Sequence, residues 1–153
     1  MIEGFRGEYK FLSNFHMVDI EVDGIVYKSV EHYYVCSKFI DDQMIDNIWY
    51  DKNMFIEYIN SIDLPGKVKR IGSKIKVRSD WNKVKLDIMY KGLVAKYNVP
   101  ELKKLLLDTK NQEIIEVNNW NDRYWGVCDG VGKNKLGKML MDIRSELRHV
   151  SLF

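Results

Sequence analysis

Cysteine and proline are scarce: the chain has two of each among 153 residues. Cys36 and Cys128 have no CxxC spacing, so they build neither a disulfide framework nor a thiolate zinc site. The three histidines, His16, His32 and His149, form no HExxH-type cluster. No bound metal and no cofactor is therefore expected. Pro65 and Pro100 mark no proline-rich linker, and no repeat or low-complexity tract interrupts the chain, which reads as one domain over 1–153. No apolar run approaches the roughly 20 residues of a membrane-spanning helix. Met1–Arg6 lacks the basic start, apolar middle and small-residue cleavage site of a signal peptide. A cytoplasmic protein without a membrane partner is expected.

What is present fits a folded domain. A 46% hydrophobic share with 30% charged residues excludes intrinsic disorder. The formal net charge of +2 is too small to declare a nucleic-acid-binding protein, but it is unevenly spread. Ten basic residues lie between Lys67 and Lys96, against Asp80 and Asp87 alone. Between Asp41 and Asp63 there are six acidic residues and only Lys52 as a base. A cationic face for a phosphate-bearing ligand would give this pattern, and so would two solvated helix faces of opposite sign.

The local signals predict an α+β fold, predominantly helical, with a small N-terminal antiparallel hairpin. In Ile20–Tyr27, short apolar-rich runs flank Asp23-Gly24, a pair suited to the positive φ angles of a type I′ turn. Ser29–Ile40 reads as a helix with Ser29 as its N-cap. Further helices are expected over Asp42–Tyr58, Pro65–Ser73, Asp80–Tyr97 and Pro100–Thr109. The clearest spans Lys135–His149, where Leu136, Met139, Leu140, Ile143 and Leu147 recur at spacings of three and four. Gln112–Val117 is a possible strand.

Two constellations carry chemistry. On the wheel of the Ser29–Ile40 helix, Glu31 and Lys38 are seven residues apart, so they fall within about 20° of each other and about 10 Å along the axis. Tyr34 and Val35 sit between them. If that stripe points inward, a carboxyl and an amine share a desolvated pocket, where burial suits them to proton transfer and nucleophilic attack. If it points outward, they are two unrelated surface charges. His32 lies about 100° away and reads as a structural histidine.

The second is Asn118–Lys138, which holds Trp120, Trp125, Tyr124 and several glycines and short polar residues ahead of the last helix. Aromatic faces stack on bases, and glycine amides and a helix N-terminus favour phosphate. A glycine-rich surface loop anchored by tryptophans has the same composition. Gly132–Lys138 also spells G-x-x-x-x-G-K, but Met139 stands where a P-loop needs Ser or Thr, so this is not a nucleotide-triphosphate motif.

Together these segments resemble the NADAR family, over about Tyr9 to Arg148. The resemblance rests on Leu12-Ser13-Asn14-Phe15, on Asp23–Tyr34 with Lys38-Phe39, and on Arg78-Ser79-Asp80-Trp81 with Lys85, Met89 and Lys96-Tyr97. It continues through Asn121–Gly126, Gly132–Gly137, Leu140-Met141 and Arg144. The chain departs from the family at Tyr34–Ser37, where glutamine is common, and at Val127–Asp129.

The resemblance implies hydrolysis of an N-glycosidic bond to ribose. One branch of the family cleaves ribosylamino-pyrimidine phosphates of riboflavin synthesis. Another is linked to NAD and removes ADP-ribose from guanine in nucleic acid. It further implies an essential glutamate at Glu31 and a lysine that forms a Schiff base with C1′, here Lys38, with Lys85 as the alternative amine. The implied substrate-binding residues are Asn14, Tyr34, Arg78, Lys85, Asp122, Trp125, Gly126, Lys133 and Asn134, with Arg6 a further phosphate ligand. The partner is then a ribosyl or ADP-ribosyl small molecule, or ADP-ribosylated nucleic acid. Two rivals stay open: a non-catalytic NAD or ADP-ribose binding module, and a general nucleic-acid binder using Lys67–Lys96.

Overall fold

The computed structural model describes residues 1–151. In chain order its elements are β1 (Ile2–Glu3), a short 3-10 helix (Gly7–Leu12), β2 (Ile20–Val22), β3 (Ile25–Tyr27) and α1 (Val30–Lys38). They continue as β4 (Gln43–Ile45), β5 (Ile48–Tyr50), α2 (Lys52–Asn60), α3 (Pro65–Gly72), α4 (Trp81–Tyr97), α5 (Pro100–Leu107), β6 (Ile114–Ile115) and α6 (Lys135–Ser151). The class is α+β with helices predominating, as expected. No described helix is long and apolar enough to cross a membrane. The chain forms two compact units, residues 14–96 and residues 1–13 with 97–153.

The first unit is built around α1. β2 and β3 pair antiparallel across Asp23 (φ 52°) and Gly24 (φ 81°), the turn that the Asp-Gly pair predicts. Ser29 then caps α1, its hydroxyl accepting from the His32 amide at 3.1 Å. Every residue of α1 from Val30 to Cys36 is buried. A helix buried on all sides must be packed by several partners. Gly72 of α3 seats against α1: a Cβ there would stand 2.8 Å from Val35 Cγ2. At the C-terminal end Phe39 stacks on Phe55 of α2, with ring centroids 4.5 Å apart.

One helix is half wrong. The expected Asp42–Tyr58 helix begins only at Lys52; before it β4 and β5 form a second antiparallel hairpin. Its turn, Asp46-Asn47, takes φ of 50° and 65°, which no helix tolerates at two successive residues. Asp51 then caps α2 by accepting from the Met54 amide at 2.8 Å. α3, α4 and α5 form as expected, to within one or two residues at their ends.

In the second unit β1 pairs in parallel with β6, Ile2 opposite Ile114 and Glu3 opposite Ile115. The expected strand at Gln112–Val117 is thus real but only two residues long. α6 buries Leu136, Leu140 and Ile143 on one stripe. Arg144, also buried, donates to the Thr109 hydroxyl and the Gln112 carbonyl, each at 2.9 Å.

Candidate active site

The inward reading of the α1 stripe is the correct one. Glu31 is 8% exposed. Burial pushes its carboxyl up to about 7, against a smaller downward pull from Lys38 and Lys69. At neutral pH it is therefore poised between acid and base. Burial moves the Lys38 amine the other way, below its ordinary range; Glu31 opposes this, and the like charges of Lys69 and Lys85 reinforce it. The carboxyl and the amine thus share one electrostatic environment, each shifted toward its neutral form.

Three further elements frame the stripe. The segment before β2 supplies Asn14, whose carbonyl accepts the Glu31 amide at 3.1 Å. Its side-chain Nδ2 donates to Met89 Sδ at 3.5 Å, while its buried Oδ1 has no hydrogen-bond partner. α4 supplies Trp81, Lys85 and Met89, at i, i+4 and i+8 and therefore on one face. The Trp81 ring packs edge-on to Tyr34 at 4.9 Å, and the Lys38 amine lies over both rings, 5.3 Å from Tyr34 and 5.6 Å from Trp81. The α4 face thus reaches the Lys38 end through Trp81 and the Asn14 end through Met89, which places Lys85 between them. Its amine donates to Asn82 Oδ1 at 3.3 Å. α3 adds Lys69, whose amine lies 5.9 Å from the centroid of the Phe15 ring.

His32 stands apart from this chemistry. Its Nε2 is 2.7 Å from the Ile62 carbonyl, which can only accept, so Nε2 carries the proton. Nδ1 then accepts from the Ser29 hydroxyl at 2.6 Å. Both ring nitrogens hold the fold together.

Arg78 points elsewhere. Its backbone amide donates to the Lys38 carbonyl at 3.0 Å, but its guanidinium grips Asp80 with two bonds of 2.6 and 2.9 Å. It also lines a cavity of about 420 Å³ with Tyr33, Ser37 and Lys52, which includes neither Glu31 nor Lys38.

The Asn118–Lys138 loop, in the other unit, spends its polar groups on itself. Asp122 Oδ1 accepts from the Tyr124 and Trp125 amides at 3.1 and 2.9 Å. Asn134 is buried; its Oδ1 accepts from the Glu116 amide and its Nδ2 donates to the Ile114 carbonyl, both at 2.9 Å. Gly126 is needed for space, since a Cβ there would stand 2.3 Å from the Glu116 carbonyl oxygen. The amides at and just before the start of α6, which an anion would need, already donate: Lys133 to Arg123, Lys135 to Tyr124 and Leu136 to Trp125. The Trp125 ring packs edge-on against Tyr124 at 5.0 Å, and the Lys133 amine lies 5.7 Å over the Tyr124 ring.

Sequence reasoning thus finds Glu31, Lys38, Tyr34, Asn14 and Lys85, which the structure brings together. It misses Lys69 and the role of Trp81, because both depend on how α3 and α4 pack on α1. Among the described residues no cluster of three or more His, Cys, Asp or Glu side chains is placed to hold a metal.

The geometry can be set against known proteins. N-glycosidase YbiA of Escherichia coli (strain K12) is 35% identical over 144 residues, covering 92% of this chain and 82% of that protein. The maize (Zea mays) riboflavin biosynthesis protein PYRR, chloroplastic, is 32% identical over 86% of this chain, which corresponds to 21% of its own length. The NMR structure of E. coli YbiA superposes with a TM-score of 0.79 at 33% identity, covering 99% of this chain and 88% of that one. The NADAR domain model matches residues 4–148 and so takes in both units with the whole Glu31–Lys38 stripe; the chain belongs to the NADAR family.

Proposed function

We propose that this chain is an N-glycosidase that hydrolyses the bond between a ribose and a nitrogenous base, and that residues 1–153 act as one NADAR domain. The observation that carries the reading is the pair on one helix stripe: a buried carboxyl pushed up to about 7 at Glu31 and a half-buried amine lowered by desolvation at Lys38. Family membership supplies the reaction class. Two buried, unpaired thiols, Cys36 and Cys128, suit a reducing compartment, and we place the enzyme in the cytoplasm.

In the mechanism we favour, the neutral Lys38 amine attacks C1′ as the C1′–N bond breaks. Glu31 delivers its proton to the departing nitrogen. The ribose, now bound through the lysine nitrogen, opens to an iminium. Water adds to it, the amine leaves, and Glu31 recovers its proton. Positive charge builds on the sugar during the first step, and the nascent Glu31 carboxylate stabilises it. The partnerless Asn14 Oδ1 is an acceptor for a sugar hydroxyl. Tyr34 and Trp81 offer ring surface to the base. Asp122, Gly126 and Asn134 shape their own loop.

The test is a substrate panel read by mass: ribosylamino-pyrimidine phosphate, ADP-ribosyl-guanine in DNA, and free NAD. Release of a base from at least one is expected, with a borohydride-trapped adduct on Lys38. A cleaving enzyme that never yields an adduct selects direct attack by water. Binding of ADP-ribose with no turnover on any substrate overturns the enzyme reading in favour of a binding module.

A further inference from the structure

The cavity beside Arg78 measures about 420 Å³ and holds no group of the proposed reaction. From α1 it is lined by Tyr33 and Ser37. On the wheel these stand about 200° and 240° from Glu31, whereas Lys38 stands about 20° from it. The cavity is therefore on the opposite face of α1 from the candidate active site. All of its lining residues belong to the unit of residues 14–96. Its volume falls within the roughly 300–1,000 Å³ of small-molecule pockets.

The walls are of two kinds. Ile25, Phe39, Ile56 and Ile88 make an apolar body. The charged lining residues are Asp23, Lys52, Arg78 and Lys91. Lys91 pairs with Asp23 at 2.7 Å, and Arg78 with Asp80 at 2.6 Å. Lys52 differs from both. Its half-buried amine donates to the Cys36 and Phe39 carbonyls at the C-terminal end of α1. Those acceptors offer only the partial negative charge of a helix end. Among the described residues no carboxylate pairs with Lys52. An ammonium has three N–H donors, so one is unspent. The cavity wall thus keeps one positive charge without a counter-charge.

Tyr27 is an independent sign. It is 6% exposed and lines the cavity, yet among the described residues its hydroxyl makes no hydrogen bond. Buried hydroxyls ordinarily have a partner. Desolvation above all pushes this phenol up to about 12, so it keeps its proton and can donate at neutral pH. Its ring packs edge-on to Tyr33 at 5.4 Å, which adds an aromatic wall to the aliphatic one.

We propose that this cavity is a second ligand site, for a small aromatic carboxylate. Its ring lies among the isoleucines and beside Tyr33, where ring contacts add to burial. Its carboxylate takes the unspent donor of Lys52 in a charge-assisted bond. A polar substituent on the ring meets the Tyr27 hydroxyl. One uncompensated cation matches a monoanion; a dianion would bring a second buried charge with nothing to balance it. The site is independent of the N-glycosidase chemistry, because it shares no residue with the α1 stripe.

The test is isothermal titration calorimetry on the full chain with 6-hydroxy-2-naphthoate and its neutral carboxamide as probes. The carboxylate should bind once per chain, about 10- to 100-fold more tightly than the amide, as expected for one charge-assisted bond. Lys52→Met should erase that preference, and Lys52→Arg should restore most of it. Tyr27→Phe should weaken both probes about 2- to 10-fold. Lys52 also holds the end of α1, so a second variant covers the case in which Lys52→Met does not fold. Ile25 is 36% exposed at the cavity rim, and Ile25→Trp should fill the space and abolish binding with the circular dichroism spectrum unchanged. Lys38→Met should bind the carboxylate as wild type does. Equal affinity for the two probes, no binding of either, or undiminished binding in Ile25→Trp overturns the site. Loss of binding in Lys38→Met places the carboxylate on the α1 stripe and overturns it as well.

Discussion

The α1 stripe and the Asn118–Lys138 loop look equally rich in polar chemistry in the sequence, yet they use it in opposite ways. In α1 the helix ladder satisfies the inner amides and carbonyls, and Asn14, Ser29 and Arg78 take groups at its ends, so Glu31 and Lys38 keep their side chains for something else. In the loop only isolated bridges, Val117 with Val127 and Cys128 with Val131, and scattered backbone bonds pair the main chain, so side chains must satisfy the rest. Asp122 takes two amides, Asn134 takes an amide and a carbonyl, and Asn118 closes on the Asp122 amide and carbonyl at 3.0 and 2.8 Å. A buried backbone group without a partner costs about 1–3 kcal/mol, so polar loop residues are drawn into that task first. Polar side chains on a buried helix face are the better pointer to chemistry, and polar side chains in a tight loop the better pointer to shape.

The largest effect should separate the two regions outright. Glu31→Gln keeps the size of the side chain and removes its proton. General acid–base catalysis contributes about 10²–10⁴-fold, so kcat/KM on the preferred substrate should fall about 10³-fold with the circular dichroism spectrum unchanged. The wild-type kcat/KM should also decline above pH 7, because the form of Glu31 that protonates the leaving base is lost as pH passes its raised value. Full activity in the variant would remove Glu31 from the chemistry and erase the contrast.

The same substitution should reveal what the buried carboxyl costs the fold. The folded-state value of Glu31 is about 7 against 4.5 for the ordinary group. The folded state therefore binds this proton more tightly than the unfolded state. Its contribution to stability is fully present below about pH 4.5 and is lost as pH rises through 7. Glu31→Gln, which mimics the protonated form, should be more stable than wild type by up to about 3 kcal/mol at pH 8, and the gap should close toward pH 4.5. Urea midpoints at the two pH values measure it. A pH-independent gap would mean that Glu31 is not burying its charge.

Asn134→Ala should do the reverse. It strands the Glu116 amide and the Ile114 carbonyl, at a cost of about 2–3 kcal/mol. The urea midpoint should drop, while the molecules that remain folded keep the wild-type pH profile. A changed profile at full stability would show that Asn134 reaches the reacting groups.

These contrasts also mark what the sequence could reveal. The Asp23-Gly24 hairpin and the Ser29 cap were legible because their signals are local. The Gln43–Tyr50 hairpin was not: Met44, Ile45, Ile48 and Trp49 recur at helix-like spacings of three and four, and only the two positive φ angles at Asp46 and Asn47 break the helix. The pairing of Ile2–Glu3 with Ile114–Ile115 joins two-residue strands from opposite ends of the chain, too short for any periodicity. In the site, Glu31 and Lys38 share one wheel, so their meeting could be read from spacing. Lys69 and Trp81 join them only because α3 and α4 pack on α1, and the Gly72–Val35 contact that brings α3 close leaves no mark in a helical wheel.

The smallest effect tests the loop where it is least buried. Asp122 is half-buried and accepts two amides through one oxygen. In Asp122→Ala, water can reach both amides, so the loss should be only about 1 kcal/mol. Asp122→Asn keeps a carbonyl oxygen in the same place and should recover most of it. Neither change should alter KM, because Asp122 serves the loop through its bonds to the Tyr124 and Trp125 amides. Denaturant midpoints and KM should be measured on the same preparations. A fallen midpoint with constant KM keeps Asp122 as a shaping residue. A raised KM in Asp122→Asn at constant midpoint would mean that the carboxylate meets the substrate, and that this loop, like the α1 stripe, holds a side chain back for chemistry.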